Sequence, residues 1–327
     1  MNINEIAKLA GVSRATVSRY FNDGYVSAEK KEAIRQVIEQ TGYEPSMQAR
    51  NLRTNVTRLI GVIIPRIQSE AVNRMVAGIS EILSADGYQL LLANTQNKPK
   101  EELKYLRLFR KNQVDGIIFM GTIFSKEHIK LMKELDVPIV IIAQEFDNYS
   151  CVYQDDYHAA YDAARMLAKT GSHFGYIGVT EKDKAVGQSR KKGTLDALKE
   201  NGIKIAKKDI CETQFRVDGG YEKTQYLLEQ SPDIDTIICA TDGIAAGALR
   251  YLHEKNISVP EQVQLLGFGD TELGSVVTPA ITSVHFHYKT TGMESAKLLL
   301  EILQSGNDMQ KKIKMGYQII EKGSTRK

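Results

Sequence analysis

Gly11-Val12-Ser13-Arg14-Ala15-Thr16-Val17-Ser18-Arg19 is the stretch on which the reading of this chain turns. Glycine supplies a tight turn, Ser13 can cap a helix through its hydroxyl, and the helix that follows is studded with hydrogen-bond donors. Upstream, Asn2 with Glu5 three residues later forms a capping-box pattern, and Ile6, Leu9 and Ala10 share a helical face. Downstream, Val17 and Phe21 point inward, Asn22-Asp23-Gly24 turns the chain, and Ser27 caps a third helix. Ile34, Val37 and Ile38 give that helix its apolar face, and Gly42 ends it. Three short helices on one apolar cluster, with a glycine turn between the first two, match a helix-turn-helix. In that geometry the second helix enters the DNA major groove N-terminus first. Arg14, Ala15 and Arg19 then face base edges: an arginine fork can donate twice to guanine, and alanine offers methyl contact. Ser13, Thr16, Ser18 and Asn22 are placed for phosphate contacts. The helical pattern alone fits a plain solvated face equally well.

Charge supports the division into a head and a body. Residues 1–58 hold nine Lys/Arg against six Asp/Glu, which is the whole net charge of +3; the rest balances at 34 against 34. A small basic unit before a large neutral body suggests a nucleic-acid reader attached to a sensor. At 327 residues the chain is too long for one small core. It contains no run of 18 apolar residues, and Met1-Asn2-Ile3-Asn4-Glu5 lacks the basic and apolar regions of a signal peptide, so a cytoplasmic, nucleoid-associated protein with no membrane partner is expected. Cys151, Cys211 and Cys239 are odd in number and far apart, and read as buried thiols in a reducing compartment.

From Arg58 the pattern becomes strand-helix alternation. Leu59–Ile64, Gln89–Ala93, Gly116–Phe119 and Pro138–Ile142 are short apolar runs separated by helical stretches near 71–85, 100–111 and 125–135. A second set, Gly175–Val179, Ile237–Ala240 and Val263–Gly267, alternates with helices near 188–200, 219–229 and 242–254. Continuous apolar strands between helices indicate parallel sheets covered on both faces. The fold class is therefore α/β: a three-helix head, then a two-lobed core of doubly wound parallel sheets. Ligands of such folds sit at the carboxyl ends of strands, between lobes.

The run Ile6-Ala7-Lys8-Leu9-Ala10-Gly11-Val12-Ser13, then Thr16-Val17-Ser18-Arg19, Val26-Ser27 and Gly42-Tyr43-Glu44-Pro45, resembles the head of the lactose/galactose repressor (LacI/GalR) family. Ser46-Met47-Gln48-Ala49-Arg50-Asn51-Leu52-Arg53 is similar to that family's hinge helix. The resemblance implies that this segment folds over the operator's minor groove when two protomers meet, with Leu52 as an apolar wedge, Ala49 permitting close helix approach, and Arg53 on DNA. Relatives carry Asn after the proline where this chain has Ser46, which keeps a helix cap. The domains expected are a head at 1–45, a hinge at 46–57 and a core at 58–327. Within the core, lobe 1 is expected at about 58–156 plus 287–315, and lobe 2 at about 157–286 plus the C-terminal strand.

The body is similar to the family's sugar-sensing core, itself similar to periplasmic sugar-binding proteins. Gln188-Ser189-Arg190-Lys191-Lys192-Gly193, Cys239-Ala240-Thr241-Asp242 and Gly267-Phe268-Gly269-Asp270-Thr271 carry that likeness. It implies effector contacts from Arg190, Phe215, Thr241, Asp242 and Asp270, with Asp242 equally readable as a helix cap. Relatives commonly place an acid after the strand ending at Ile142; Gln144 is the neutral substitute here. The segment from Gly61 to Val72 most resembles the sucrose-operon repressors of Gram-positive bacteria, with parts shared by trehalose repressors. It implies that Ser69, and secondarily Arg66, face the cleft. Gln154-Asp155-Asp156 and Val284-His285-Phe286-His287-Tyr288 mark crossovers between lobes, with Tyr288 near the ligand.

The expected function is a homodimeric repressor that binds a near-palindromic operator and is released by a small sugar. Sucrose comes first by resemblance, then trehalose or another glycoside, a global catabolite regulator, or a purine-type corepressor response. No apolar heptads follow the last strand, so a dimer rather than a helix-bundle tetramer is expected. Enzyme motifs are absent: no Gly-x-Ser-x-Gly elbow, phosphate-binding loop or Gly-x-Gly-x-x-Gly fingerprint occurs, and His285 and His287 lack metal-ligand spacing, so neither cofactor nor metal is expected. A sugar-binding protein without DNA function would leave the head unexplained.

Overall fold

The computed structural model describes residues 1–22, 24–43, 56–111, 114–306 and 310–327. Ala49, Leu52 and Arg53, expected in the hinge, lie outside the described residues. The chain divides into two units, Met1–Thr57 and Arg58–Lys327.

The first unit contains α1 (Ile3–Leu9), α2 (Arg14–Tyr20) and α3 (Ala28–Thr41). The Asn2–Glu5 capping box forms: Asn2 accepts from the Asn4 and Glu5 amides, and the Glu5 carboxylate accepts from the Asn2 amide at 3.0 Å. Ser13 Oγ accepts from the Thr16 amide at 3.1 Å and so starts α2. Gly11 turns the chain at φ 64°, a conformation glycine adopts without strain. Ser27 holds the N-cap position of α3, but its side chain makes no capping bond. Ile6, Val17 and Ile34 are sealed at the centre of the head. Leu9, expected on the inward face, is 60% exposed. The buried stripe of α1 runs Ile3, Ile6, Ala7, Ala10, the i, i+3, i+4, i+7 positions of a helix, and Leu9 falls one position off it.

The second unit holds two six-stranded sheets. Its elements in chain order are β1 (Leu59–Ile64), α4 (Glu70–Ala85), β2 (Gln89–Asn94), α5 (Pro99–Lys111), β3 (Gly116–Phe119), α6 (Lys126–Lys133), β4 (Ile139–Ile142) and β5 (Ser150–Gln154). Then come α7 (Asp156–Leu167), β6 (Phe174–Gly178), a π-helical turn (Lys184–Ser189), α8 (Arg190–Glu200), β7 (Ile210–Glu212), α9 (Val217–Gln230) and β8 (Thr236–Cys239). The chain closes with α10 (Asp242–Glu254), β9 (Gln264–Phe268), α11 (Glu272–Val276), β10 (Thr282–Phe286), α12 (Tyr288–Ser305), β11 (Lys312–Met315) and β12 (Tyr317–Ile320). One sheet has strand order β11-β5-β4-β3-β1-β2, wholly parallel. The other runs β12-β10-β9-β8-β6-β7, with only β12 antiparallel to its neighbour. The chain passes between lobes after β5, after β10 and between β11 and β12.

β-Branched, wholly apolar strands such as Ile139–Ile142 are buried along their full length, as a strand covered on both faces requires. In the first lobe, α4 and α12 touch backbone to backbone. A Cβ on Gly78 would stand 2.0 Å from the Lys289 carbonyl oxygen, and one on Gly292 would stand 2.0 Å from that of Met75. Among the described residues no helix is long and apolar enough to cross a membrane.

Candidate functional site

Two sites follow from this architecture, and each belongs to its own unit. In the head, Ser13, Arg14, Ala15 and Arg19 are exposed on α2, while Thr16 and Ser18 are half-buried. Ser13 Oγ and Thr16 Oγ1 are hydrogen-bonded at 2.9 Å, and the Asn22 amide closes back onto the Ser18 carbonyl. On α3, Arg35 is tied to Glu32 and Glu39 at 2.7 and 2.6 Å. Arg14 and Arg19 form no such ion pair with the described residues, and both are exposed on α2. Donor-only forks presented on a capped helix suit the acceptor-rich edge of guanine and the phosphate oxygens beside it.

In the body, the loops at the carboxyl ends of both sets of strands enclose a cavity of about 120 Å³. Lobe 1 contributes Ser69, Arg66 and Gln144, and lobe 2 contributes Asp183, Arg190, Phe215 and Thr241; Asp156 and Tyr288 enter from the crossovers. Val72, Met75 and Met120 form an apolar wall. Gln144 donates from Nε2 to the Gly121 and Thr122 carbonyls at 3.1 and 3.2 Å, so Oε1 is left to accept. Ser69 occupies the N-cap position of α4 without bonding a backbone amide, which leaves its hydroxyl for the cavity. Thr241, by contrast, caps α10 by accepting from the Ile244 amide at 3.3 Å. Next to Gln144, Ala143 is held at φ 68°, a strained conformation for a residue with a Cβ.

Arg190 is the electrostatic centre. Its Nε meets the Asp156 carboxylate at 2.7 Å, its Nη1 donates to the Ala240 carbonyl at 2.7 Å, and the Phe268 and Phe286 rings flank it at 5.0 and 4.9 Å. Burial disfavours its charge, but Asp156 and Tyr288 outweigh that and hold it protonated. Burial also pushes the Asp156 carboxyl up against the pull of Arg190. Asp183, which caps the π-helical turn by accepting from the Ala185 and Val186 amides, is raised by burial to about 6. π-Helical turns are rare and frequently occur at functional sites.

Ser69, Gln144, Arg190, Phe215, Thr241 and Tyr288 are brought together here. Asp242 and Asp270 are not, which corrects the expectation that they reach a ligand. Asp242 is wholly buried and accepts from the Thr271 amide at 2.7 Å, from Thr271 Oγ1 at 3.0 Å and from Ser283 Oγ at 2.6 Å. It ties three strand ends together, and the cap of α10 is Thr241. Asp270 lies at φ 45°, with its carboxylate on His285 Nδ1 at 3.0 Å and Lys322 Nζ at 2.6 Å. Asp156, Asp183 and Gln154 are cavity residues that the sequence reading did not assign to the ligand; only the motif marking a lobe crossover at 154–156 pointed near two of them. Among the described residues no group of three or more His, Cys, Asp or Glu could hold a metal ion. A second, larger groove of about 660 Å³ adjoins the cavity through Gln144, Gln154, Asp156 and Ala185. The smaller cavity holds the converging polar groups and is taken as the candidate site.

A helical DNA-reading head and a two-lobed body with a polar cavity between its sheets define a class: DNA-binding transcriptional regulators whose bodies are built like binding proteins. Residues 2–46 match the family described as bacterial regulatory proteins, lacI family, and residues 57–322 match periplasmic binding proteins and sugar binding domain of LacI family. The chain belongs to the LacI family, whose members are regulators and not enzymes. It is 33% identical over 304 residues to the sucrose operon repressor of Staphylococcus xylosus, covering 93% of this chain and 94% of that one. With the HTH-type transcriptional regulator RegA of Clostridium saccharobutylicum it shares 30% identity over 99% of both chains. A solved LacI-family transcriptional regulator from Silicibacter pomeroyi superposes with a TM-score of 0.85 at 25% identity, over 100% of both chains.

Proposed function

We propose that this regulator is a homodimeric repressor of a sugar-utilisation operon, released from a near-palindromic operator by a sugar held in the cavity between the lobes. The observation that carries this reading is the composition of that cavity. Arg190, Asp156, Asp183, Gln144, Gln154 and Ser69 supply donors and acceptors, and Val72, Met75 and Met120 supply apolar surface. A sugar offers the complementary surface, hydroxyls around its edge and C–H groups on its face. Sucrose is the first candidate, because the sucrose operon repressor of Staphylococcus xylosus is similar along nearly the whole chain.

At about 120 Å³ the cavity is smaller than the roughly 300–1,000 Å³ of a typical ligand pocket, so a disaccharide requires the lobes to part or the ligand to extend into the adjoining groove. A ligand that binds one lobe arrangement better shifts the population toward it. A coupling of roughly 1–3 kcal/mol between cavity and head would change operator affinity about 5- to 150-fold.

The test is a gel shift with a palindromic operator, run with and without sucrose, trehalose and cellobiose, alongside thermal unfolding with each sugar. A stabilising sugar that also releases DNA supports the reading. Operator binding indifferent to every sugar that stabilises the protein overturns the inducer role, and no preference for any palindrome overturns the repressor role.

A further inference from the structure

Arg66 stands in the loop after β1 in lobe 1, and its partners are in lobe 2. Its Nη1 donates to the Phe215 carbonyl at 3.1 Å, and its guanidinium lies over the Phe215 ring at 4.3 Å. The Phe215 ring, expected to contact the effector, is therefore covered on one face by an arginine from the opposite lobe. Nε of the same group is buried without a hydrogen-bond partner among the described residues. Asp183 is the acidic group whose charge reaches it, and no bond joins the two. Burial lowers the affinity of Arg66 for its proton, as expected of a cation short of acceptors. Three residues on, Ser69 brings an uncommitted hydroxyl to the same rim of the cavity.

An arginine Nε–H can only donate, and a buried donor left unpaired is unfavourable. An oxygen acceptor entering the cavity beside Ser69 would complete its shell while Nη1 remains on the Phe215 carbonyl. We propose that Arg66 is a specificity-determining residue that bridges the lobes, gripping Phe215 of lobe 2 through Nη1 and an oxygen of the bound ligand through Nε. The ligand class this selects is one with an acceptor oxygen at that end, a sugar hydroxyl or, more strongly, an anionic ester oxygen, since hydrogen bonds to charged acceptors are about twice as strong. This inference rests on the cavity being the sugar site, as proposed above.

The test uses the full chain as wild type, Arg66→Met and Arg66→Lys. Hydrogen exchange of residues 213–219 reads the bridge without any ligand, and calorimetric titration with sucrose and with sucrose 6-phosphate reads the grip. Arg66→Met keeps the apolar stem but loses both bonds. It is expected to exchange faster at 213–219 and to bind the better of the two probes about 10- to 100-fold more weakly. Arg66→Lys keeps a charge but not the fork, and should recover part of the binding to the phosphate ester and little of the binding to sucrose. A preference of wild type for the ester, lost in Arg66→Met, identifies the anionic acceptor; a preference for sucrose, lost likewise, identifies the hydroxyl. Unchanged exchange at 213–219 in Arg66→Met overturns the bridge whatever any sugar does. Unchanged affinity in a variant whose wild type binds overturns the grip. A wild type that binds neither probe overturns sucrose as the ligand and the grip on it together, while the exchange data still judge the bridge and the trehalose and cellobiose measurements still judge the sugar reading.

Discussion

Arg190 and Asp156 form an ion pair at 2.7 Å with side chains only 4 and 5% exposed. The pair joins the start of α8 to the start of α7, so the residue expected to bind a sugar also holds lobe 2 together at the crossover. Removing one partner of a buried pair strands the other charge and costs about 3–5 kcal/mol. Arg190→Met is therefore expected to lower the unfolding midpoint of the body as well as abolish the sugar response. The double variant Asp156→Leu/Arg190→Met should recover much of the stability and none of the response. Urea unfolding of the three proteins checks this, and a fully stable single variant would count against it.

Asp242→Ala separates architecture from binding. The substitution leaves the Thr271 amide, the Thr271 hydroxyl and the Ser283 hydroxyl without their shared acceptor. Each buried donor left unpaired costs about 1–3 kcal/mol. A large fall in stability is expected, with sugar affinity retained in whatever fraction remains folded. Loss of affinity in a variant of normal stability would return Asp242 to the cavity.

Asp183 gives the body a pH dependence of definite sign. Its folded value of about 6 lies above the ordinary value of 3.8, so the folded state binds the proton more tightly than the unfolded chain. The stability this contributes is fully present below about pH 4, declines between there and pH 6, and is gone above. Asp183→Asn keeps an acceptor for the Ala185 and Val186 amides and removes the titration. Thermal unfolding between pH 4.5 and 7.5 should show a flatter profile in the variant than in wild type; parallel profiles would refute the assignment.

Arg14→Ala and Arg19→Ala should weaken operator binding by about 1–3 kcal/mol each, with no change in the unfolding of the body. Both side chains are exposed and without acidic partners among the described residues, so their removal breaks no ion pair there. Wild-type affinity should also fall steeply as salt rises, because phosphate contacts release counterions. Gel shifts across a salt series measure both effects. Undiminished binding in both variants would exclude α2 as the reading helix.

Local chemistry made much of the fold legible. Asn2 with Glu5, Ser13 with Thr16 and Gly42 at φ 60° are signals complete within a few residues, and each forms where the pattern places it. Leu59–Ile64 and Gly116–Phe119 have the same bounds in sequence pattern and in structure, because an apolar run between turn residues is its own boundary signal. Strands β5, β7, β11 and β12 and helices α7 and α12 carry weaker local signals. Lys312–Met315, for instance, alternates with charged residues, and pairs with β5 only because the chain returns to lobe 1 after a long helix.

The site divides along the same line. That Arg190, Gln144 and Thr241 stand at strand ends is a consequence of alternation in the chain, since loops at carboxyl ends of parallel strands converge wherever a sheet is doubly wound. Which carboxylates face the cavity is a different matter. Asp242 and Asp183 are both buried acids near strand ends, yet Asp242 is enclosed by Thr271 and Ser283 while Asp183 lines the cavity. Arg66 and Phe215 are 149 residues apart and meet only because two separately built lobes face each other. The residues alone determined the two-part plan, the helices of the head and the alternating body. The choice between ligand contact and internal strut belonged to the tertiary structure, because a side chain's bonding capacity is divided among neighbours that only folding brings within reach.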